Sequence, residues 1–135
     1  MNLPLSVEQK AHLGRIAAKQ FLKITDLWQL TDDQRRVLAG AATRTTISTW
    51  RKRVSEKDEL QLGADTYERL ICIAEIERSL EQSMDPDSHE FAQELANVIR
   101  EPQEGLKNKS LLETMLDGRV YDLYQVKICV EELIH

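Results

Sequence analysis

The sequence contains few residues of the kinds that β-proteins need: five Gly, three Pro and 5% aromatic residues in a chain of 135. β-Sandwiches and barrels require frequent turn residues and strands rich in β-branched or aromatic side chains, so the composition argues against an all-β fold. Apolar residues at 41% and charged residues at 30% are ordinary for a globular protein. We therefore expect an all-α fold.

Cysteines and long apolar runs are also scarce. The two cysteines, Cys72 and Cys129, lie in apolar helical patterns, and no Cys-x-x-Cys or Cys/His spacing is present. Buried thiols in a reducing compartment fit this pattern better than a metal site or a disulfide. No apolar run approaches the roughly 20 residues of a membrane span, and the amino terminus lacks the apolar core of a signal peptide. The sequence predicts a cytoplasmic protein that holds no metal or cofactor.

Catalytic patterns are weak as well. The three histidines are scattered along the chain, at His12, His89 and His135. No two of them have metal-ligand spacing, and none lies near a Ser or Cys nucleophile in the sequence. There is no glycine-rich phosphate loop, and acidic pairs such as Glu75 and Glu77 are more typical of solvated helix faces than of an acid–base dyad. We expect no enzymatic activity and no small-molecule substrate.

The net charge of −5 is divided unevenly along the chain. Residues 1–60 hold eleven basic and seven acidic side chains, a net of +4, whereas residues 61–135 hold seven basic and sixteen acidic ones, a net of −9. Such an asymmetry is expected when one half faces phosphate and the other half faces a different partner. The alternative is that the helices simply differ in charge.

Two short helices are predicted in residues 31–53. Thr31-Asp32-Asp33-Gln34 has the form of a capping box, and the helix that it opens ends at Gly40. Thr43 can cap a second helix that runs to about Val54. Two short helices joined by so tight a turn are typical of a helix-turn-helix.

The second of these helices has the pattern of a recognition helix. Ile47 and Trp50 turn inward, so the hydroxyls and the guanidinium of the amino-terminal part face outward, where base-reading residues lie in the major groove. The basic run 51–53, with Arg35 and Arg36, would neutralise flanking phosphates. The candidate DNA-binding residues are Arg44, Thr45, Thr46, Ser48, Thr49, Arg51, Lys52 and Arg53. The alternative is a helical hairpin whose basic face is merely solvated.

A polar stretch over residues 55–64 is the predicted linker between two lobes. Residues 1–60 would form the helix-turn-helix lobe, and residues 61–135 a second helical lobe. In the first lobe, apolar periodicity predicts a helix over 6–22 and a short segment over 24–30. In the second lobe, helices are predicted from capping-box-like starts at Asp65 and Ser110, from Asp85-Pro86, and over 121–134.

A set of motifs runs through both halves in a characteristic order. They are Trp28-Gln29-Leu30-Thr31, Gln34, Leu38-Ala39-Gly40, Thr46 and Trp50, then Asp65-x-x-Glu68-Arg69-Leu70, Gly105 and Ser110-Leu111-Leu112-x-x-Met115-Leu116-x-x-Gly118. Over roughly residues 20–134 this order resembles the Xre/MbcA/ParS family of antitoxins. That family tends to have Ser-Pro-Leu where this chain has Ser110-Leu111-Leu112.

The resemblance implies a homodimeric antitoxin of a type II toxin–antitoxin system. Such a protein represses its own operon through the helix-turn-helix and neutralises its toxin by direct contact. The toxin implied is of the RES type, which consumes or transfers groups from NAD, and the carboxy-terminal lobe would carry toxin binding and dimerisation. By position, the candidate toxin-binding residues are Lys107, Lys109, Ser110, Tyr121 and Tyr124. The alternatives are a stand-alone dimeric helix-turn-helix regulator without a toxin, and a pure protein-interaction module.

Overall fold

The computed structural model describes residues 4–134, which form seven α-helices and one short hairpin. The elements are α1 (Val7–Leu27), α2 (Asp32–Ala39), α3 (Arg44–Ser55), α4 (Ala64–Gln82), α5 (Phe91–Val98), β1 (Pro102–Gln103), β2 (Lys109–Ser110), α6 (Leu111–Met115) and α7 (Val120–Ile134). The prediction of an all-α fold is confirmed. Between the two antiparallel strands lies one 3-10 turn, Glu104–Leu106.

Three helices begin at complete capping boxes, at Ser6, Thr31 and Ser110. In each, the hydroxyl accepts a hydrogen bond from the third residue of the helix, whose side chain accepts one from the capping residue's backbone. The capping boxes predicted at Thr31 and Ser110 are therefore confirmed. Gly40 ends α2 in a left-handed conformation at φ 67°, as the sequence indicates.

Two of the predicted helix boundaries are wrong near the ends of the long helices. α1 continues to Leu27 instead of stopping near residue 22, because its last turns are buried and the Thr25 hydroxyl donates to the carbonyl of Phe21 at 2.8 Å. α4 begins at Ala64 without a side-chain cap. Asp65, predicted as the capping residue, instead accepts a hydrogen bond from Arg69 Nε at 2.9 Å.

The start predicted at Asp85-Pro86 for the next helix is also wrong. Ser88 N donates to the carbonyl of Asp85 at 3.1 Å, and Asp87 N donates to the Asp85 side chain at 3.0 Å, so this segment forms turns. α5 begins only at Phe91. The Asp85 carboxylate accepts a hydrogen bond from the Asp87 backbone, and such a local bond competes with helix formation.

The buried apolar side chains of both halves form one cluster, which includes Trp28, Leu38 and Trp50 from the first half and Ile73 and Val126 from the second. α1 and α4 contribute more residues to this core than any other element. Among the helices of residues 4–134, none has the length and apolarity that crossing a membrane requires.

The polar stretch before α4 packs against α1 through Leu60. Leu60 is buried, and its backbone N–H donates to the carbonyl of Ala11 at 3.1 Å. A Cβ atom on Gly14 would lie 2.0 Å from the Leu60 carbonyl oxygen, so only glycine permits this approach. The division into lobes at residues 60 and 61 stays a prediction, and the segment that joins them is docked on α1.

Candidate nucleic-acid interface

The side chain of Arg69, from α4, lies against the turn between α2 and α3. Gly40 has a left-handed backbone at φ 67°, which favours glycine, and a Cβ atom there would lie 2.7 Å from the Nε atom of Arg69 and would displace that side chain. Arg69 donates from Nε to Asp65 and from Nη1 to the carbonyl of Gly118 at 2.7 Å. The Arg69 side chain therefore joins α4 to the segment before α7 and lies beside the turn at Gly40.

α3 is anchored by its inward face. Ile47 is fully buried, and Trp50 is 4% exposed. The ring of Trp50 meets Phe21 of α1 edge to face, with ring centroids 5.9 Å apart and planes at 78°. The prediction that Ile47 and Trp50 turn inward is confirmed.

The outward face of α3 combines hydroxyls and cations. Thr46 is half-buried, and the other candidate DNA-binding residues are exposed: Arg44, Thr45, Ser48, Thr49, Arg51, Lys52 and Arg53. The helix contains no acidic residue. In the part of the chain that the structure describes, no carboxylate pairs with Arg44 or Lys52. These two cations are therefore available to an anionic ligand.

Two arginines at the end of this face already have protein partners. Arg51 Nη1 lies 2.7 Å from the Asp32 carboxylate, and Arg53 Nη1 donates to the carbonyl of Glu59 at 3.0 Å. The hydrogen bond from Arg51 lowers the pKa of Asp32 below its ordinary value and raises that of Arg51. Because exposed ion pairs are weak, Arg51 can exchange Asp32 for a phosphate at little cost.

Arg35 does not lie on the surface with the exposed candidate DNA-binding residues, so its predicted contact with phosphate is wrong. Its side chain is buried, donates from Nε to the Thr25 hydroxyl at 2.8 Å, and pairs with Asp26 and Asp32. Arg35 therefore joins the end of α1 to the start of α2. Arg36, half-buried, pairs with a carboxylate of its own helix.

Three of the five candidate toxin-binding residues come together at the hairpin. Lys107, Lys109 and Tyr121 line a groove of about 290 Å³ between the hairpin and the start of α7. Lys107 has a left-handed backbone at φ 57°. Arg119 lies in the same groove and holds Asp122 with two hydrogen bonds of 2.9 Å, which lower the pKa of Asp122.

The other two candidates lie elsewhere. Ser110 is only 2% exposed, and its hydroxyl accepts the capping hydrogen bond from Glu113 N at 3.0 Å. Its side chain supports α6 from inside the fold, which corrects its predicted place on a contact surface. Tyr124 lies one turn further along α7, where its hydroxyl donates to Glu68 of α4 at 2.7 Å.

A buried carboxylate was missed by the sequence interpretation. Glu77 is 4% exposed, so its assignment to a solvated face is wrong, and its Oε1 accepts a hydrogen bond from Trp28 Nε1 at 2.8 Å. Within residues 4–134, no donor reaches Glu77 Oε2. Burial raises the pKa of Glu77 to about 7, with Glu81 adding to the effect. Helical spacing could have predicted this burial, since Glu77 follows the buried Ile73 by four residues on the same helix.

The described residues show no metal centre. No group of three His, Cys, Asp or Glu in residues 4–134 converges as metal ligands would. Cys72 is buried and Cys129 half-buried. Burial raises the pKa of the Cys72 thiol to about 11, so it is a poor nucleophile at neutral pH.

One comparison with known proteins identifies a relative. The uncharacterized protein y4oB of Sinorhizobium fredii (strain NBRC 101917 / NGR234) is 34% identical over 107 residues, which cover 79% of this chain and 75% of that protein. No protein-family model matches the chain. The chain belongs to the family of y4oB.

Proposed function

We propose that this member of the y4oB family is a cytoplasmic DNA-binding protein that reads an operator through a helix-turn-helix made of α2 and α3. The observation that carries the proposal is that α3 has two chemically different faces. One face is anchored by Ile47 and Trp50, and the opposite face presents hydroxyls and cations without any acidic residue. A rigid helix with such an outer face is suited to the major groove.

The proposed roles follow from position along α3. Arg44, in the first turn, forks onto a guanine edge, and Thr45 and Ser48 contact base edges or phosphates. Lys52 and Arg53 bind phosphates on either side of the groove, which supplies affinity and salt dependence. Helix-turn-helix proteins usually bind two half-sites as symmetric dimers, so we propose a homodimer.

We expect Arg44→Ala to weaken binding to the DNA upstream of the chain's own coding sequence by about tenfold to a hundredfold. The physical reason is the loss of a bidentate contact that only the correct base completes. The measurement is fluorescence anisotropy with labelled duplex at two salt concentrations. Arg78→Ala is the matched control, because Arg78 is an exposed arginine on α4. Equal affinities of the two variants would refute the assignment of α3.

The second proposed activity is neutralisation of a toxin, for which the motifs in the second half are the main support. The groove at Lys107, Lys109 and Tyr121 supplies a preformed cationic and aromatic surface for a protein partner. The resemblance to the Xre/MbcA/ParS antitoxins implies that this partner is an NAD-consuming enzyme of the RES type, which the chain binds directly. All chemistry then belongs to the partner. Without such a partner, the chain is a stand-alone dimeric regulator.

We expect the double variant Lys107→Ala/Lys109→Ala to bind a growth-arresting product of the neighbouring gene at least about tenfold more weakly, through loss of two cationic contacts. Affinity is measured by calorimetry, and neutralisation by growth on co-expression. Lys57→Ala is the control, since Lys57 is exposed and has the same left-handed backbone as Lys107, φ 58° against 57°. A neighbouring product that neither binds nor arrests growth leaves the stand-alone regulator as the function.

A further inference from the structure

A groove of about 390 Å³ lies between the amino-terminal ends of α1 and α4. Its volume is within the range of about 300–1,000 Å³ that is usual for small-molecule sites, which are mostly apolar with a few polar groups. None of its lining residues belongs to the proposed DNA or toxin surface. The apolar walls come from Leu5, Leu13, Leu62 and Tyr67, and the long polar side chains from Lys10 and Gln61. The groove is therefore a separate candidate ligand site.

One wall of the groove is fixed before any ligand binds. Leu60 donates from its backbone N–H to the carbonyl of Ala11 at 3.1 Å, which docks the segment before α4 on α1. A Cβ atom on Gly14 would lie 3.4 Å from Cγ of Leu62, so the Leu62 side chain also packs against α1. A preformed wall lowers the entropic cost of binding, since it needs no further ordering when the ligand arrives.

The groove has a net positive charge. Lys10 is the one charged residue among those that line it. In residues 4–134, no carboxylate oxygen lies within 4.0 Å of the Lys10 ammonium. Asp65 and Glu68, in the first turns of α4, are hydrogen-bonded to other side chains. Glu8 and Glu59, each two positions from a lining residue, do not line the groove themselves. Lys10 is therefore available to an anionic ligand.

The start of α4 adds hydrogen-bond donors to the same groove. Gly63 and Ala64 line it, and α4 begins after Gly63 without a side-chain cap. Among the described residues, no backbone carbonyl accepts from the Ala64 N–H. First-turn N–H groups favour a carboxylate as their acceptor. These donors supplement Lys10, and the apolar walls remain for an attached hydrocarbon chain.

We propose that the groove binds a small aliphatic carboxylate, such as a medium-chain fatty acid. The hydrocarbon chain lies against the three leucines of the walls, and the carboxylate pairs with Lys10 beside the first turn of α4. A bare anion would leave the leucines in contact with water, and an organic cation would be repelled by Lys10. The ligand contacts both α1 and α4, so it should raise the Tm of the chain. The proposal does not depend on DNA or toxin binding.

The first test titrates the full chain with decanoate and with decylamine, a hydrocarbon chain of similar length that carries the opposite charge. Decanoate is expected to bind with a Kd of about 0.1–1 mM, as suits a ligand with few non-hydrogen atoms. Decylamine should bind at least about tenfold more weakly, since it places a cation beside Lys10. Nitrogen-15 NMR should show the largest decanoate shifts at the backbone N–H groups of Gly63 and Ala64. Equal affinities, or no saturable shift at these residues, would overturn the proposal.

The second test fills the groove with a side chain. Gly63 has extended backbone angles, φ −64° and ψ 158°, and a Cβ atom there would have no atom from elsewhere in the described chain within 4 Å, so Gly63→Leu should leave the fold intact. We expect this variant to bind decanoate at least about tenfold more weakly, with an unchanged circular dichroism spectrum. Gly105→Leu is the matched control, because a Cβ atom on the exposed Gly105 would lie 4.0 Å from the Cys129 sulfur, an ordinary contact. Equal losses, or a greater loss for Gly105→Leu, would place the ligand elsewhere.

The third test separates the charge from the apolar contact. Lys10→Gln should weaken decanoate binding by about tenfold and leave decanol binding unchanged, because only decanoate carries the negative charge. Lys19→Gln is the control, since Lys19 is an exposed lysine of the same helix that does not line the groove. If Lys10→Gln weakened decanol binding equally, or left decanoate binding unchanged, the pairing of the carboxylate with Lys10 would be refuted.

Discussion

Replacing Trp50 with alanine is expected to lower the free energy of unfolding by about 3–5 kcal/mol, the usual cost of deleting a buried aromatic side chain. Trp50 is 4% exposed, and its ring contacts Phe21 edge to face. This contact holds α3 against α1. Because the helix carries the whole proposed DNA-reading face, the variant should also lose operator binding while α1 and α4 remain helical.

Thermal and urea unfolding measure the effect, with a fall in Tm of roughly 10–20 °C expected. Trp50→Phe is the first control, since it keeps an aromatic edge against Phe21 and should lose much less. Thr49→Ala is the second control, because Thr49 is the exposed neighbour and contributes no core contact. A loss below about 1 kcal/mol for Trp50→Ala would mean that α3 is held by something other than this contact.

Replacing Glu77 with glutamine is expected to stabilise the protein by roughly 3 kcal/mol at pH 8 and to change little at pH 4. Burial raises the pKa of Glu77 from 4.5 to about 7, and one carboxylate oxygen has no donor among residues 4–134. Glutamine has nearly the same shape without the charge, and its carbonyl can still accept from Trp28 Nε1. The variant therefore resembles the protonated wild type.

The stability of the wild type depends on pH because the pKa of Glu77 differs between the folded and the unfolded state. Folded Glu77 keeps its proton up to about pH 7, whereas the unfolded chain releases it near 4.5. The unfolded state therefore binds fewer protons between these values, and stability falls as pH rises through this window. Below 4.5 both states are protonated and the wild type has no penalty, while above 7 the full penalty applies.

Urea unfolding of both proteins from pH 4 to pH 8 measures the difference. Fluorescence of Trp28, in a Trp50→Phe background, should titrate near pH 7 with Glu77 and not with Gln at that position. Glu81→Gln is the control, since Glu81 is an exposed neighbour whose own removal changes only the smaller electrostatic contribution. A stability difference that does not vary with pH would show that Glu77 is ionised or protonated throughout.

Several features of the candidate interface follow from the sequence because their causes act within four residues. A capping box joins Thr31 to Gln34, and a left-handed glycine ends α2 at Gly40. The three-residue spacing of Ile47 and Trp50 determines which face of α3 turns inward. Local hydrogen bonds and helical periodicity are sufficient for these features, so the exposed face of α3 was predictable. α3 also begins directly after Thr43, as predicted, but the Thr43 side chain makes no capping hydrogen bond.

Sequence patterns gave wrong predictions where a polar side chain can form either of two different contacts. Asp65 and Asp85 both looked like helix starts, but one pairs with Arg69 and the other closes a turn. Arg35, which precedes the basic segment of α3, was predicted to contact phosphate. Its actual partners include Thr25 and Asp26, which lie on a different helix. The choice between such uses depends on which neighbours the packing supplies.

By itself, the sequence determined the all-α class, the two short helices around Gly40 and the hydroxyl-and-cation face of α3. Tertiary structure alone decided that Glu77 is buried against Trp28 and that Arg69 reaches Gly118, contacts that each join residues 49 apart in the chain. It also decided that Lys107 and Tyr121 share a groove while Ser110 is buried. The physical reason is range: capping and periodicity act along one helix, whereas desolvation and pairing depend on every element that packs nearby.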